Sequence, residues 1–178
     1  MSILRMLGWR SETPSQETGN TETVRRIVSE LEAMDQDKAR YVAAFAYILG
    51  RVAYSDLHIS DQETRKMEEI VRRLGHLPDD QTILVVQIAK SQTRLFGGTE
   101  DYLVTREFAE ISSPEQRQEL LDCLFAVSAA DNSISGAEEA QIRQIASELG
   151  FSHRDYVAAR SVYSEHREVL RPLRNSDE

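Results

Sequence analysis

Residues 130–138 read Ala-Asp-Asn-Ser-Ile-Ser-Gly-Ala-Glu, and 75 positions earlier residues 55–63 read Ser-Asp-Leu-His-Ile-Ser-Asp-Gln-Glu. The shared frame is an Asp (Asp56, Asp131), an Ile-Ser pair (Ile59 and Ser60, Ile134 and Ser135) and a Glu (Glu63, Glu138). The offset extends outward from the turn. Met67, Ile70, Val71 and Leu74 fall at i, i+3, i+4 and i+7, one stripe of a helix, and Ile142, Ile145, Ala146 and Leu149 repeat it in phase. On the other side, Phe45, Leu49 and Val52 correspond to Leu120, Leu124 and Val127. Each copy is therefore a long apolar helix, a short turn and a second, amphipathic helix: a duplicated helical hairpin. Both copies end in Leu-Gly, at Leu74-Gly75 and Leu149-Gly150, which predicts that a left-handed Gly closes each second helix.

Between the copies, residues 81–95 and 101–111 carry helical periodicity around a Phe96-Gly97-Gly98 turn. Ser113, Pro114 and Gln116 form a capped start for the second copy, and Ser152 opens a last helix running toward Leu170, stopped by Pro172. No stretch alternates with period two between turn signals. The expected fold is all-α, a single-domain bundle of about seven or eight helices built on the duplicated hairpin. The expected domain covers residues 21–170, with a flexible N-terminal tail over residues 1–20 and a charged C-terminal tail over 171–178.

The chain has 178 residues, 40% apolar and 29% charged, an ordinary composition for one globular domain. Its 21 Lys and Arg against 30 Asp and Glu leave a net charge of −9, which argues against a nucleic-acid partner. Cys123 is the single cysteine, so no internal disulfide or cysteine-rich zinc module is available, and a reducing cytoplasm suits the chain. The longest apolar run, residues 41–49, falls well short of the roughly 20 residues needed for a transmembrane segment. Ile3, Leu4, Met6, Leu7 and Trp9, with Arg5 and Arg10, form a segment too short for a secretory signal. That segment offers an alternative role, an adaptor held peripherally at a membrane surface by a short amphipathic helix.

The repeated turn has a plain structural account. Ser60 with Glu63, and Ser135 with Glu138, fit the capping box, in which Ser accepts from the N3 amide and Glu reaches back to the Ser amide. Asp56 and Asp131 are different, because each lies near the C-terminus of a preceding helix, where the macrodipole disfavours negative charge. Two compensations are open: an Asx-turn onto the following amides, which Asn132 would assist by taking left-handed geometry, or a divalent cation, Ca²⁺ or Mg²⁺, held by hard oxygen ligands. An EF-hand is excluded, since its twelfth position, which must be a bidentate Glu, is Met67 in one copy and Ile142 in the other. If the copies pack with two-fold pseudo-symmetry, Asp56, Glu63, Asp131 and Glu138 would approach one another and offer four carboxylates as metal ligands.

These residues carry a family resemblance. The Asp, the turn, the Ile-Ser pair and the Glu opening a helix that ends in Leu-Gly, twice in an all-helical chain, resemble the TerB family of tellurite-resistance proteins over about residues 38–168. That fold is shared by the N-terminal domain of DjlA-type co-chaperones. Leu57 and Asn132 stand where the family usually has Gly after the Asp. The resemblance implies metal binding through the acidic residues and a stress-response adaptor role with protein partners in membrane-linked complexes. A J-domain His-Pro-Asp is absent, because Leu77 interrupts His76-Leu77-Pro78-Asp79.

A metal-dependent enzyme of unknown reaction is the remaining alternative. Cys123 lies in an apolar helix, where a thiol is an inert small hydrophobe. His58 beside Asp56 and Asp61 could ligate zinc, but Ser133 replaces it in the second copy, and His76, His153 and His166 show no paired ligand spacing. With no phosphate-binding loop or triad signature either, the chain reads as a non-enzymatic protein.

Overall fold

The computed structural model describes residues 18–53, 61–91 and 99–167. Among these are eight α-helices and no β-strands: α1 (Thr18–Glu32), α2 (Gln36–Ala53), α3 (Asp61–Leu74), α4 (Asp79–Ser91), α5 (Thr99–Ile111), α6 (Pro114–Ser128), α7 (Gly136–Glu148) and α8 (His153–Ser161). The all-α bundle expected from periodicity is the observed fold. The Phe96-Gly97-Gly98 turn and both chain ends lie outside the described residues.

Helix α2 is buried on nearly every side from Val42 to Gly50, as expected of a helix apolar around its whole circumference. Ala43, Ala44, Ala46 and Gly50 keep its surface thin, and α4, α5, α6 and α7 all pack on it. The two hairpins, α2–α3 and α6–α7, exchange partners: α3 packs on α6, α7 packs on α2, and α2 packs on α6. This reciprocal arrangement is why the apolar stripes recur at a fixed offset, since each second helix covers the first helix of the other copy. Ile142, Ile145, Ala146 and Leu149 are all buried, as are Met67 and Val71, while Ile70 and Leu74 are half-buried. Phe45 and Phe108 meet edge to face at 6.1 Å in the centre of the bundle.

Helix starts follow the local code. Ser113 caps α6 in a full capping box with Gln116 and with Pro in the first turn; Ser152 caps α8 by accepting from the Asp155 amide. The last helix is shorter than its sequence suggests. It ends at Ser161, and a 3-10 turn, Ser164–His166, reverses the chain. The reversal stacks Tyr163 on Phe125 at 5.6 Å and brings the His166 carbonyl to the Ile134 amide at 2.7 Å, contacts that a helix continuing toward Leu170 would forgo.

The two Leu-Gly endings also differ, contrary to the common closure expected. Gly150 takes φ +85° and completes a Schellman motif, with Phe151 N–H donating to the Ala146 carbonyl and Gly150 N–H to that of Ser147. In the first copy the left-handed residue is His76, at φ 49°. Gly75 is needed there for space: a Cβ would stand 2.7 Å from the Val71 carbonyl oxygen and 3.3 Å from Phe45 Cζ. Gly75→Ala is expected to cost about 1 to 3 kcal/mol by overpacking against backbone that cannot yield. Gly150→Ala is expected to cost about 1 kcal/mol of left-handed strain. Urea denaturation of both variants followed by circular dichroism checks the order, and an equal or inverted ranking would contradict this account.

Candidate functional site

The second acidic turn is built from the end of α6 inward. After Ser128 the chain tightens into a 3-10 turn, Ala129–Asp131, and Asn132 takes the left-handed conformation at φ 67°. Asp131 Oδ1 accepts from the Ser133 amide at 3.0 Å, the Asx-turn that compensates a carboxylate at a helix C-terminus. Ile134 follows, buried at 1% exposure, and pins the turn to the core. Ser135 then caps α7: its Oγ accepts from the Glu138 amide at 3.2 Å, while Glu138 Oε2 accepts from the Ser135 amide at 2.9 Å and from its hydroxyl at 2.7 Å. The capping box is complete.

The structure places the four sequence-derived ligands unequally. Asp56 lies outside the described residues, as do His58, Ile59 and Ser60. Glu63 is exposed in the first turn of α3, Asp131 is exposed, and Glu138 is half-buried in its capping box. Among the described residues no group of three or more His, Cys, Asp or Glu side chains stands close enough to hold a metal ion. Glu63, Asp131 and Glu138 do not form such a group.

Three features at this turn were invisible in the sequence. Lys66, one turn beyond Glu63 on α3, donates from Nζ to the Ala130 carbonyl at 3.2 Å, so the first hairpin places a cation on the 3-10 turn that follows α6. The Ser128 hydroxyl, on the last residue of α6, is buried without a hydrogen-bond partner among the described residues. Glu139, directly after Glu138, receives Arg160 at 3.0 Å and Arg167 at 2.7 and 2.8 Å. Burial works to raise the Glu139 carboxyl, but the bonds and charges of Arg167 and Arg160 outweigh it and hold it below the usual carboxylate range. That cluster and the Ile134–His166 bond strap the C-terminal segment across the turn. Residues 21 to 32 positions apart in sequence meet here through α8 and its reversal, which periodicity alone does not locate.

Cys123 is buried, and its thiol is pushed strongly upward, first by burial and then by the charges of Asp122 and Glu119. It is a packed hydrophobe, not a nucleophile. No described helix is long and apolar enough to cross a membrane.

The described residues form an all-α bundle of two interlocked helical hairpins, the second of them joined by the Asp131 turn. The profile of the family described as tellurite resistance protein TerB matches residues 41–161, and the chain belongs to that family. No curated protein and no solved structure matches it.

Proposed function

We propose that this TerB family member is a non-enzymatic stress-response adaptor that binds a divalent cation, Ca²⁺ or Mg²⁺, at its acidic turns and engages protein partners in membrane-linked complexes. The observation that carries the metal reading is the cation already seated at the second turn, the Lys66 ammonium on the Ala130 carbonyl. The C-terminal end of α6 collects the negative pole of the helix and free carbonyls, which is cation-binding chemistry. The second turn offers hard oxygen donors in the Ala130 carbonyl and the Asp131 carboxylate; Asp56, Glu63 and Glu138 would have to move toward them to complete the shell, because the described carboxylates do not stand together as a ligand group. Asp131 is held in place by its Asx-turn, so this carboxylate is oriented before any ion arrives, whereas Glu138 would have to leave its capping box to join it. A divalent ion supplies charge neutralisation and a cross-link between the hairpins.

Calorimetric titration of the chelator-treated protein tests this. Saturating Ca²⁺ or Mg²⁺ is expected to raise stability by RT ln(1 + [L]/Kd), about 2.7 kcal/mol at a hundredfold excess over Kd, and EDTA should reverse the gain. Asp56→Asn/Asp131→Asn should abolish the binding heat, while Asp131→Asn without metal should shift stability by no more than about 1 kcal/mol, because Asn sustains the Asx-turn. Binding heat that persists in the double variant would place the ion elsewhere, and no heat at millimolar metal would leave the turns purely structural.

A further inference from the structure

We propose that Phe125, the Ile134 amide and Glu139 form a docking surface for a short extended protein segment that carries an aromatic residue and, four positions later, an arginine, and that residues 163–167 of this chain fill it as a detachable latch. The proposal rests on the protein-partner part of the function above, whose partner chemistry it names, and is independent of the metal.

The segment after α8 is bound as a peptide ligand is bound. The Ile134 amide donates to the His166 carbonyl at 2.7 Å, and Ile134 and Arg167 form an isolated parallel bridge, the main-chain pairing by which an extended segment adds to an edge. The Tyr163 ring stacks on Phe125 at 5.6 Å. Arg167 grips Glu139 with both prongs, Nε to Oε2 at 2.8 Å and Nη2 to Oε1 at 2.7 Å, a planar two-point fit that lysine does not reproduce. One backbone bond, one ring and one guanidinium set what the surface reads.

Arg160 makes the latch detachable. It reaches the same carboxylate, Nη1 to Oε1 at 3.0 Å, but it belongs to α8 and lies over the Tyr156 ring, 5.4 Å from the centroid, so its place does not depend on residues 163–167. When Arg167 leaves, Glu139, its side chain 15% exposed, keeps a cation, and the penalty of an unpaired buried charge is avoided. Phe125 and Ile134 act in the opposite direction. Phe125 is fully buried and Ile134 is 1% exposed, so departure of the segment uncovers an apolar ring and strips a donor of its acceptor, which favours the closed state until another segment supplies both. The surface is covered in the isolated chain and opens by exchange.

Two measurements on the full chain test this. In the wild type the Ile134 amide is expected to exchange its hydrogen at least roughly tenfold faster than the amide of Leu124, because the latch opens without global unfolding. Equal rates would show that it opens only with the whole domain and would overturn the proposal. The second measurement follows the anisotropy of a fluorescein-labelled, end-blocked peptide, Ser-Val-Tyr-Ser-Glu-His-Arg, the sequence of residues 161–167. Tyr163→Ala/Arg167→Ala and the milder Arg167→Gln, which keeps the Tyr163 stack and serves if the double variant does not fold, loosen the latch and leave the surface intact. Each is expected to bind the peptide about tenfold more tightly than the wild type, where a tethered segment competes at an effective concentration on the order of millimolar. Glu139→Gln added to Arg167→Gln should abolish that gain, and replacing the peptide's Tyr by Ala or its Arg by Lys should weaken binding by roughly fivefold or more. A peptide that binds wild type and variants alike, or that binds no variant shown by circular dichroism to melt cooperatively, would overturn the docking surface. Either result leaves the adaptor reading standing, since that reading specifies no face of the molecule.

Discussion

Arg51→Met is expected to lower stability by about 3 to 5 kcal/mol, the cost of leaving a buried carboxylate without its counter-charge. Arg51 sits near the end of α2 with its side chain 5% exposed, and Glu148 opposite it is 8% exposed. Its Nη1 donates to Glu148 Oε2 at 2.9 Å and to Thr105 Oγ1 at 2.6 Å, and Asp101 lies 3.7 Å from Nε. Tyr47 completes the network through its hydroxyl, which donates to Asp101 Oδ1 at 2.7 Å. One side chain of α2 therefore fastens α5 and α7. Methionine retains the length and apolar stem of Arg, so the loss isolates charge and hydrogen bonding from packing.

The pH dependence identifies the mechanism. Burial tends to raise the Glu148 carboxyl, but the hydrogen bonds of Arg51 and Gln144 and the Arg51 charge prevail and hold it below its ordinary value. A carboxyl depressed in the folded state stabilises above its unfolded pKa of about 4.3 and loses that contribution as pH falls through the folded value. The wild type should therefore lose stability on acidification below about pH 4.5. In Arg51→Met, Glu148 can take up a proton without losing a partner, so the gap between the two proteins should narrow in acid. Urea midpoints at pH 7 and pH 4 check this, and a gap independent of pH would show that the loss is one of packing.

Leu124→Ala is expected to cost about 2 to 5 kcal/mol through lost transfer energy and the cavity left behind. Leu124 is fully buried on α6, the helix that receives both α2 and α3 of the other hairpin. Ile145→Ala, on α7 and also fully buried, falls in the same range. Because α3 packs on α6 and α7 on α2, each hairpin depends on the other for part of its cover, and a fragment of residues 21–80 is expected not to melt cooperatively. A cooperative transition in that fragment, or a loss below about 1 kcal/mol for Leu124→Ala, would contradict interlocked packing.

The sequence alone determined the elements whose cause is local. Helical periodicity identified the duplicated hairpin because a buried stripe must recur every three or four residues whatever covers it. Ser113, Ser135 and Ser152 announced helix starts because a cap is satisfied within three residues, and Asp131 with Asn132 announced its turn for the same reason. Membership of the TerB family was legible from that pattern and its recurrence. Tertiary structure alone decided what depends on neighbours distant along the chain. Ile83 and Leu103 are apolar yet 39% and 51% exposed, since which apolar positions of a helix are covered depends on the partner's placement. A Cβ at Gly75 would meet Phe45, thirty residues away, as well as the local Val71 carbonyl, and the left-handed residue is His76, one position further on. The last helix stopped at Ser161 because Phe125 and Ile134 offered better contacts than another helical turn. The partners of Arg51 and Lys66, Glu148 and the Ala130 carbonyl, lie 97 and 64 residues away. A charge pair of that separation leaves no periodic trace, because its attraction acts through space and not along the chain.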